Sequence, residues 1–156
     1  MLHTEFAQGG SSHDGGAWVR KSAIALTRYH LRQMRRVLED FERDALLAVL
    51  LGEIALHNLQ GVEGDHGALL CSGQRRLPGG MRPCNAYSVA ASTGIPRETV
   101  RRKVARLVEL GWIEKRLGGH LFITEAALQH FEGRAVHKDV PELLAAADEL
   151  RGLIAA

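Results

Sequence analysis

Residues 96–110, near the middle of the chain, carry apolar positions at helical spacing with basic positions between them. The apolar residues follow one another at intervals of four, three and three, and they are Val100, Val104, Leu107 and Leu110. Gly111 ends the pattern. We therefore predict an amphipathic helix over 96–110 with a basic outer face, opened by Pro96, since the N–H that proline lacks would have no partner there.

A shorter helix is predicted just before it. Asn85 is a good N-cap, Ser88 follows at the N3 position, and Val89 and Ala90 are candidates for the inward face. Gly94 can adopt the positive φ that a tight turn between two crossed helices needs. The order helix, turn, helix follows for this part of the chain.

Two short strands are predicted after the second of these helices. Residues 112–117 and 120–124 have strand-forming composition, and Gly118-Gly119 between them predicts a two-residue turn. Trp112 is expected to pack the hairpin onto the core. The predicted fold class is mainly α with one small β-hairpin.

The first flanking helix is predicted over 18–38. Ile24, Leu31 and Leu38 recur every seven residues, while six Lys or Arg and no acidic residue lie between 20 and 36. We favour a solvated basic face on an amphipathic helix. The alternative is a face that lies against DNA phosphates or an acidic partner.

Further helices are predicted on both sides of the central segment. Residues 40–59 form a helix, with Asp40 as its N-cap, that is apolar on nearly every side and needs burial from several directions. We interpret it as part of a homodimer core; the alternative is the central helix of a monomer. After the hairpin, Thr124 caps a helix, residues 133–139 form a break, and residues 141–154 form a last helix.

Composition and pattern together divide the chain into five segments. They are a flexible Gly- and Ser-rich leader (1–17), two helices for the core or dimer contact (18–59), a Gly- and Pro-rich loop (60–83), the helix–turn–helix with its hairpin (84–132) and a C-terminal helix for the dimer contact (133–156).

Charge is distributed unevenly along the chain, although its net value is only +2. Residues 82–116 hold eight Lys or Arg against three Glu, whereas residues 125–156 hold six acidic residues against three basic ones. Positive charge is thus concentrated around the helix 96–110, as a nucleic-acid surface requires.

Three short motifs resemble those of bacterial winged helix-turn-helix transcriptional regulators. They are Gly94-Ile95-Pro96-Arg97-Glu98-Thr99-Val100-Arg101-Arg102, Leu110-Gly111-Trp112-Ile113 and Ile123-Thr124-Glu125-Ala126. The third resembles the start of the helix that follows the wing in MarR-type repressors. The resemblance covers about a third of the chain. It implies a winged helix-turn-helix domain flanked by dimerisation helices, and a cytoplasmic homodimer that binds double-stranded DNA with sequence specificity.

The same resemblance implies a recognition helix over 96–110 in the major groove and a wing over 112–124 on the backbone or minor groove. The candidate DNA-binding residues are Ser88, Ser92, Arg97, Glu98, Thr99, Arg101, Arg102, Lys103, Arg106, Lys115, Arg116 and His120. Arg97 and Arg101 are one turn apart and suit base edges, whereas Lys103 suits phosphates. Arg101→Ala should then relax sequence preference, and Lys103→Ala should weaken binding to all sequences alike.

Other function classes find little support in the residues. No phosphate-binding glycine loop, HExxH motif or nucleophile elbow is present, so we expect no enzyme and no cofactor. His57, His66, Cys71 and Cys84 match no standard zinc spacing, so no metal is expected. The longest apolar run, over 45–51, is too short for a membrane span.

The sequence leaves two alternatives for the binding partner. A winged helix can serve as a platform for protein or RNA contact without reading a DNA sequence. Exposure of Arg97, Arg101 and Arg102 on one convex surface, with two such surfaces in a dimer about 34 Å apart, would favour DNA. A small-molecule effector is a further partner that regulators of this kind often have.

Overall fold

The computed structural model describes residues 15–60 and 81–155. Its elements are α1 (Gly15–Asp40), α2 (Ala45–Leu59), α3 (Ala86–Thr93), α4 (Arg97–Glu109), β1 (Ile113–Lys115), β2 (Leu121–Ile123), α5 (Glu125–Arg134), a π-helical stretch (Ala135–Asp139) and α6 (Val140–Ala155). The described residues are thus mainly helical with a small antiparallel hairpin, as predicted. They form two compact units, one of residues 36–134 and one of residues 15–35 with 135–155.

Helix α2 lies at the centre of the first unit, where it packs against α3, α4 and β2. Its buried apolar residues are Leu47, Leu50, Leu51 and Ile54. The predicted stripe of α4 faces the same core, with Val100, Val104 and Leu107 buried and Leu110 partly buried. Each fully buried leucine contributes about 1.5–3 kcal/mol relative to an exposed one, so this cluster dominates the stability of the unit. The outer side of α2 leaves Val49 and Leu56 exposed.

The start of α2 differs from the prediction. Its N-cap is Asp44, whose side chain accepts a hydrogen bond from the Leu46 N–H at 3.1 Å, and not Asp40, which ends α1. Glu42 and Arg43 adopt left-handed backbone conformations, with φ of 54° and 63°, so the helix cannot continue through them. Phe41, at 2% exposure, anchors this turn in the core.

The helix–turn–helix segment has the predicted local structure. The Asn85 side chain accepts from the Ser88 N–H at 2.9 Å and the Ser88 hydroxyl accepts from the Asn85 N–H at 3.1 Å, which completes a capping box. Gly94 ends α3 with φ of 69°. Pro96 occupies the N-cap position of α4 instead of its first turn, so α4 begins one residue later than predicted.

The hairpin is shorter than predicted. β1 and β2 pair antiparallel with Ile113 opposite Ile123 and Lys115 opposite Leu121. The prediction of a two-residue turn is wrong: the turn is Leu117–Gly119, and the Arg116 N–H donates to the His120 carbonyl across its base at 2.8 Å. Both glycines of this turn have positive φ, 75° and 77°, which side chains with a Cβ rarely adopt.

A buried asparagine fastens the hairpin to α2. The Asn58 amide donates to the carbonyls of Arg82 and Leu121 at 2.7 and 3.1 Å and accepts from the Ile123 N–H at 2.8 Å. Cys84 forms an isolated β-bridge with Leu121. Trp112 packs against the same core and lies near the rings of Phe41 and Phe131, which confirms its predicted place.

Two further boundaries change. The predicted break at 133–139 is wrong, because Gly133 lies within α5 and Ala135–Asp139 is π-helical. Helix α1 begins at Gly15, three residues before the prediction. The remainder of the predicted leader and residues 61–80 of the predicted loop lie outside the described residues. None of the helices within 15–60 and 81–155 combines the length and the apolar character needed to cross a membrane.

The second unit exposes an unusual amount of apolar surface. Gln33 of α1 donates to Glu142 of α6 at 3.2 Å, and Ala25 and Ala146 are buried. Large apolar side chains that are at least 43% exposed are Trp18, Val19, Ile24, Leu26, Leu31 and Met34 on α1 and Val140, Leu143, Leu144 and Ile154 on α6. The basic residues Arg20, Lys21, Arg28, Arg32 and Arg35 of α1 are also exposed.

Candidate nucleic-acid interface

The candidate serine and threonine residues have limited freedom. The Ser88 hydroxyl also donates to the Asn85 carbonyl at 2.9 Å, so the capping box uses both its donor and its acceptor. The Ser92 hydroxyl donates to the Val89 carbonyl at 3.1 Å and lies 3.4 Å from a Glu53 oxygen. Thr99 is half-buried. The hydrogen bonds and burial of these side chains stabilise the local structure of α3 and α4, which limits their availability for other contacts.

Arg97, Arg101 and Arg102 are all solvent-exposed on α4. Helical periodicity places Arg97 and Arg101 along one edge of the exposed surface and Arg102 at its middle. The three side chains are thus exposed together on α4, and no large exposed apolar residue lies between them along the helix.

Arg97 stacks on an aromatic ring. Its guanidinium carbon lies 4.2 Å from the ring centroid of Tyr87, which belongs to α3 and is 61% exposed. Among the described residues, no acceptor hydrogen-bonds to the Arg97 guanidinium. Tyr87 could not be identified from the sequence, because it lies ten positions before Arg97 on another helix and no periodicity connects the two.

Arg101 is held by a carboxylate instead. Its Nε donates to Glu98 Oε2 at 2.9 Å and its Nη2 donates to Glu98 Oε1 at 2.7 Å, a two-pronged pair one turn apart on α4. The Arg101 hydrogen bonds lower the pKa of Glu98, which therefore stays ionised at neutral pH. Both side chains are more than 70% exposed, so solvent screens the pair.

Lys103 and Arg106 lie on the opposite edge of α4 and contact the turn between α1 and α2. The Lys103 ammonium pairs with the Asp44 carboxylate, and these side chains are only 20% and 28% exposed. Arg106 Nε donates to Glu42 at 2.9 Å, and its Nη1 donates to Glu109 at 2.7 Å. Hydrogen bonds from Arg106 and Lys103 lower the pKa of Glu42 and Asp44 respectively. Both cations already have carboxylate partners, unlike the free phosphate contacts expected from the sequence.

Three candidates lie on the hairpin, and all are exposed. Arg116 pairs with Glu114 and lies 4.4 Å from the ring centroid of Phe122. Lys115 and His120 extend from the two sides of the Leu117–Gly119 turn. The hairpin therefore adds exposed basic side chains beside the Arg101 edge of α4.

An open cleft of about 700 Å³ separates that edge of α4 from the hairpin. Its lining includes Tyr87, Arg101 and Lys115, together with the apolar residues Val104, Val108 and Leu121. The N-terminus of α3 also borders the cleft through Asn85 and Ala86. Basic side chains and a helix N-terminus are features that suit a phosphate group, whereas the apolar floor of the cleft does not.

The histidine and cysteine candidates do not converge within the described residues. Burial raises the pKa of the Cys84 thiol to about 11, and its sulfur donates to the Leu121 carbonyl at 3.7 Å. The His57 ring lies 3.2 Å from the Pro83 carbonyl. Within 15–60 and 81–155 no three His, Cys, Asp or Glu side chains form a group that could hold a metal ion. His66 and Cys71 lie outside the described residues.

Comparison of the whole chain with protein-family models, with curated proteins and with solved structures gave no match.

Proposed function

We propose that the unit of residues 36–134 is a winged helix-turn-helix domain that binds double-stranded DNA sequence-specifically. The observation that carries the proposal is the shared exposure of Arg97, Arg101 and Arg102 on α4, directly after a tight turn and beside a basic hairpin. Arginine to guanine is the commonest specific contact in the major groove. The hairpin corresponds to the wing.

The proposed contacts divide by position on α4. Arg97 is the first residue of the helix and Arg101 follows one turn later, so both can reach base edges when the N-terminal end of α4 enters the major groove. Arg102 lies further round the helix, where phosphates pass. Lys115 and Arg116 on the hairpin are suited to the backbone or the minor groove, where positive charge is attracted most strongly.

A homodimer is the second part of the proposal. Six large apolar side chains on α1 and four on α6 are exposed, and an exposed apolar patch marks a site of protein contact. Burying these side chains between two copies would give a dimer with two α4 helices, one for each half-site. Such regulators bind half-sites separated by about 34 Å, one helical turn of DNA, on a pseudo-palindromic sequence.

The test of DNA binding is selection from a random duplex library with the full chain, first at low salt and then at physiological salt. An enriched palindromic motif that survives the higher salt is expected. Binding that disappears with salt and selects nothing would overturn the proposal and favour a protein-binding platform. The double variant Arg97→Ala with Arg101→Ala is the control, and it should select no motif while remaining folded by circular dichroism.

The oligomeric state is tested separately by sedimentation equilibrium. The wild-type chain should be a dimer. Leu31→Glu places a charge in the apolar patch of α1 and should give a monomer, whereas Leu31→Met keeps an apolar side chain of similar volume and should stay dimeric. A wild-type monomer would contradict the dimer while leaving the DNA-binding test unaffected.

A further inference from the structure

Arg97 and Arg101 lie on the same edge of α4, but different groups hold them. The Arg97 guanidinium lies over the Tyr87 ring, whereas Glu98 accepts hydrogen bonds from Nε and Nη2 of Arg101. A two-pronged contact to guanine needs two N–H donors at the edge of the guanidinium plane. The group that holds each guanidinium therefore distinguishes the two arginines: an aromatic ring on another helix for Arg97, and a carboxylate on the same helix for Arg101.

We propose that Tyr87 is a positioning residue for DNA recognition, and that it orients Arg97 for contact with a base edge. The inference rests on the proposed function. An aromatic ring attracts a guanidinium through its π face and leaves the in-plane N–H groups pointing outward. Stacking thus restricts the long Arg97 side chain to one position without using a single hydrogen-bond donor.

Glu98 holds Arg101 in a different way. It accepts hydrogen bonds from Nε and Nη2, which leaves the Nη1 edge of the guanidinium for a two-pronged contact to a base. Arg101 can therefore also contact a base, but its position depends on an exposed ion pair on α4 itself that solvent screens.

The proposal assigns the effect to the ring of Tyr87 and not to its hydroxyl group. This hydroxyl forms no hydrogen bond with the part of the chain that the structure describes, and the ring alone accounts for the contact with Arg97. Tyr87→Phe should therefore preserve recognition, whereas Tyr87→Ala should weaken it. Because Tyr87 is 61% exposed, neither change should unfold α3.

The experiment uses the duplex selected by the wild-type chain and a panel of its single-base substitutions, titrated at physiological salt. Arg97→Ala identifies the base pair that Arg97 contacts. Tyr87→Ala should reduce discrimination at that same base pair by about two- to fivefold, the range for an exposed cation–π contact. Tyr87→Phe should retain the wild-type discrimination. The variant that combines Tyr87→Ala with Arg97→Ala should behave as Arg97→Ala alone.

Other outcomes would overturn the inference. Equal weakening on every duplex would make Tyr87 a general contact, and additive losses in the combined variant would separate it from Arg97. Failure of Tyr87→Phe to restore discrimination would assign the effect to the hydroxyl. A wild-type chain that selects no motif would overturn the proposed function and this inference together, whereas a motif that Tyr87→Ala leaves unchanged would overturn the inference alone.

Discussion

Arg97 and Arg101 lie along one edge of α4, and Lys103 and Arg106 lie along the other, where the environment is different. The first edge borders the open cleft and the hairpin, and its arginines are exposed. The second edge faces Glu42 and Asp44 in the turn after α1, and Lys103 is mostly buried there. One amphipathic helix thus presents exposed arginines on one edge and contacts its own fold on the other.

The degree of burial decides what each ion pair contributes. An exposed pair such as Arg101 with Glu98 contributes little to stability and can exchange partners easily. A pair between half-buried groups resists such exchange, because a half-buried cation that loses its carboxylate has neither full hydration nor an ionic partner. Lys103 is therefore expected to stabilise the fold and not to contact phosphates. Four predictions test this contrast.

The largest expected effect is on stability. Asp44→Ala removes the N-cap of α2, which contributes about 1 kcal/mol, and it leaves the half-buried Lys103 without its partner. Together these changes should lower the free energy of unfolding by about 2–3 kcal/mol. Asp44→Asn is the matched control, since asparagine is an equally good N-cap, and it should lose only about 1–2 kcal/mol. Urea unfolding at pH 7 measures both. If the free energy of unfolding of Asp44→Asn equalled that of the wild type, Lys103 would again be a candidate for DNA binding.

The second prediction compares neighbouring cations on α4. Arg102→Gln should weaken binding to all duplexes and reduce the salt slope by about one, because it removes the proposed phosphate contact. Lys103→Gln makes the same change of charge one position later and should leave the salt slope unchanged while lowering stability by about 1–2 kcal/mol. Titrations at several salt concentrations give the slopes. Equal changes of slope would contradict the division of α4 into two edges.

The third prediction concerns acid. The pKa of both Glu42 and Asp44 is lowered in the folded chain, so their ion pairs stabilise the protein fully at neutral pH and less as the pH falls below about 4. Wild-type unfolding free energy should therefore approach that of Asp44→Asn as the pH falls from 6 towards 2.5. Urea unfolding across this range provides the comparison. A difference between the two chains that does not vary with pH would exclude the ion pair as its source.

The smallest effect is expected at Glu98. Glu98→Gln removes a negative charge beside the proposed DNA surface and releases the Arg101 donors, so affinity for every duplex should rise by about two- to fivefold. Glu109→Gln removes the same charge three turns later, where its partner is Arg106, and should change affinity less. Fluorescence anisotropy at physiological salt distinguishes them. Weaker binding by Glu98→Gln would instead assign Glu98 a direct contact to a base.

Prediction from sequence was most successful where the interactions are local. The capping box of Asn85 with Ser88, the left-handed Gly94 and the apolar stripe of α4 all depend on residues within a few positions of one another. The start of α2 was predicted at the wrong acidic residue, because Asp40 and Asp44 are both suitable caps. Burial of Phe41 distinguishes them, and burial is not a local property.

The sequence by itself determined the main helices, the hairpin and the concentration of positive charge on α4, because spacing and turn chemistry act over short distances. Only the tertiary structure decided which of those charges are available to a partner. Asp44 lies 59 positions before Lys103 and Tyr87 lies on another helix from Arg97, so folding alone brings each pair together. The chemical type of a side chain can be read from the sequence, but its partner depends on the packing of distant segments.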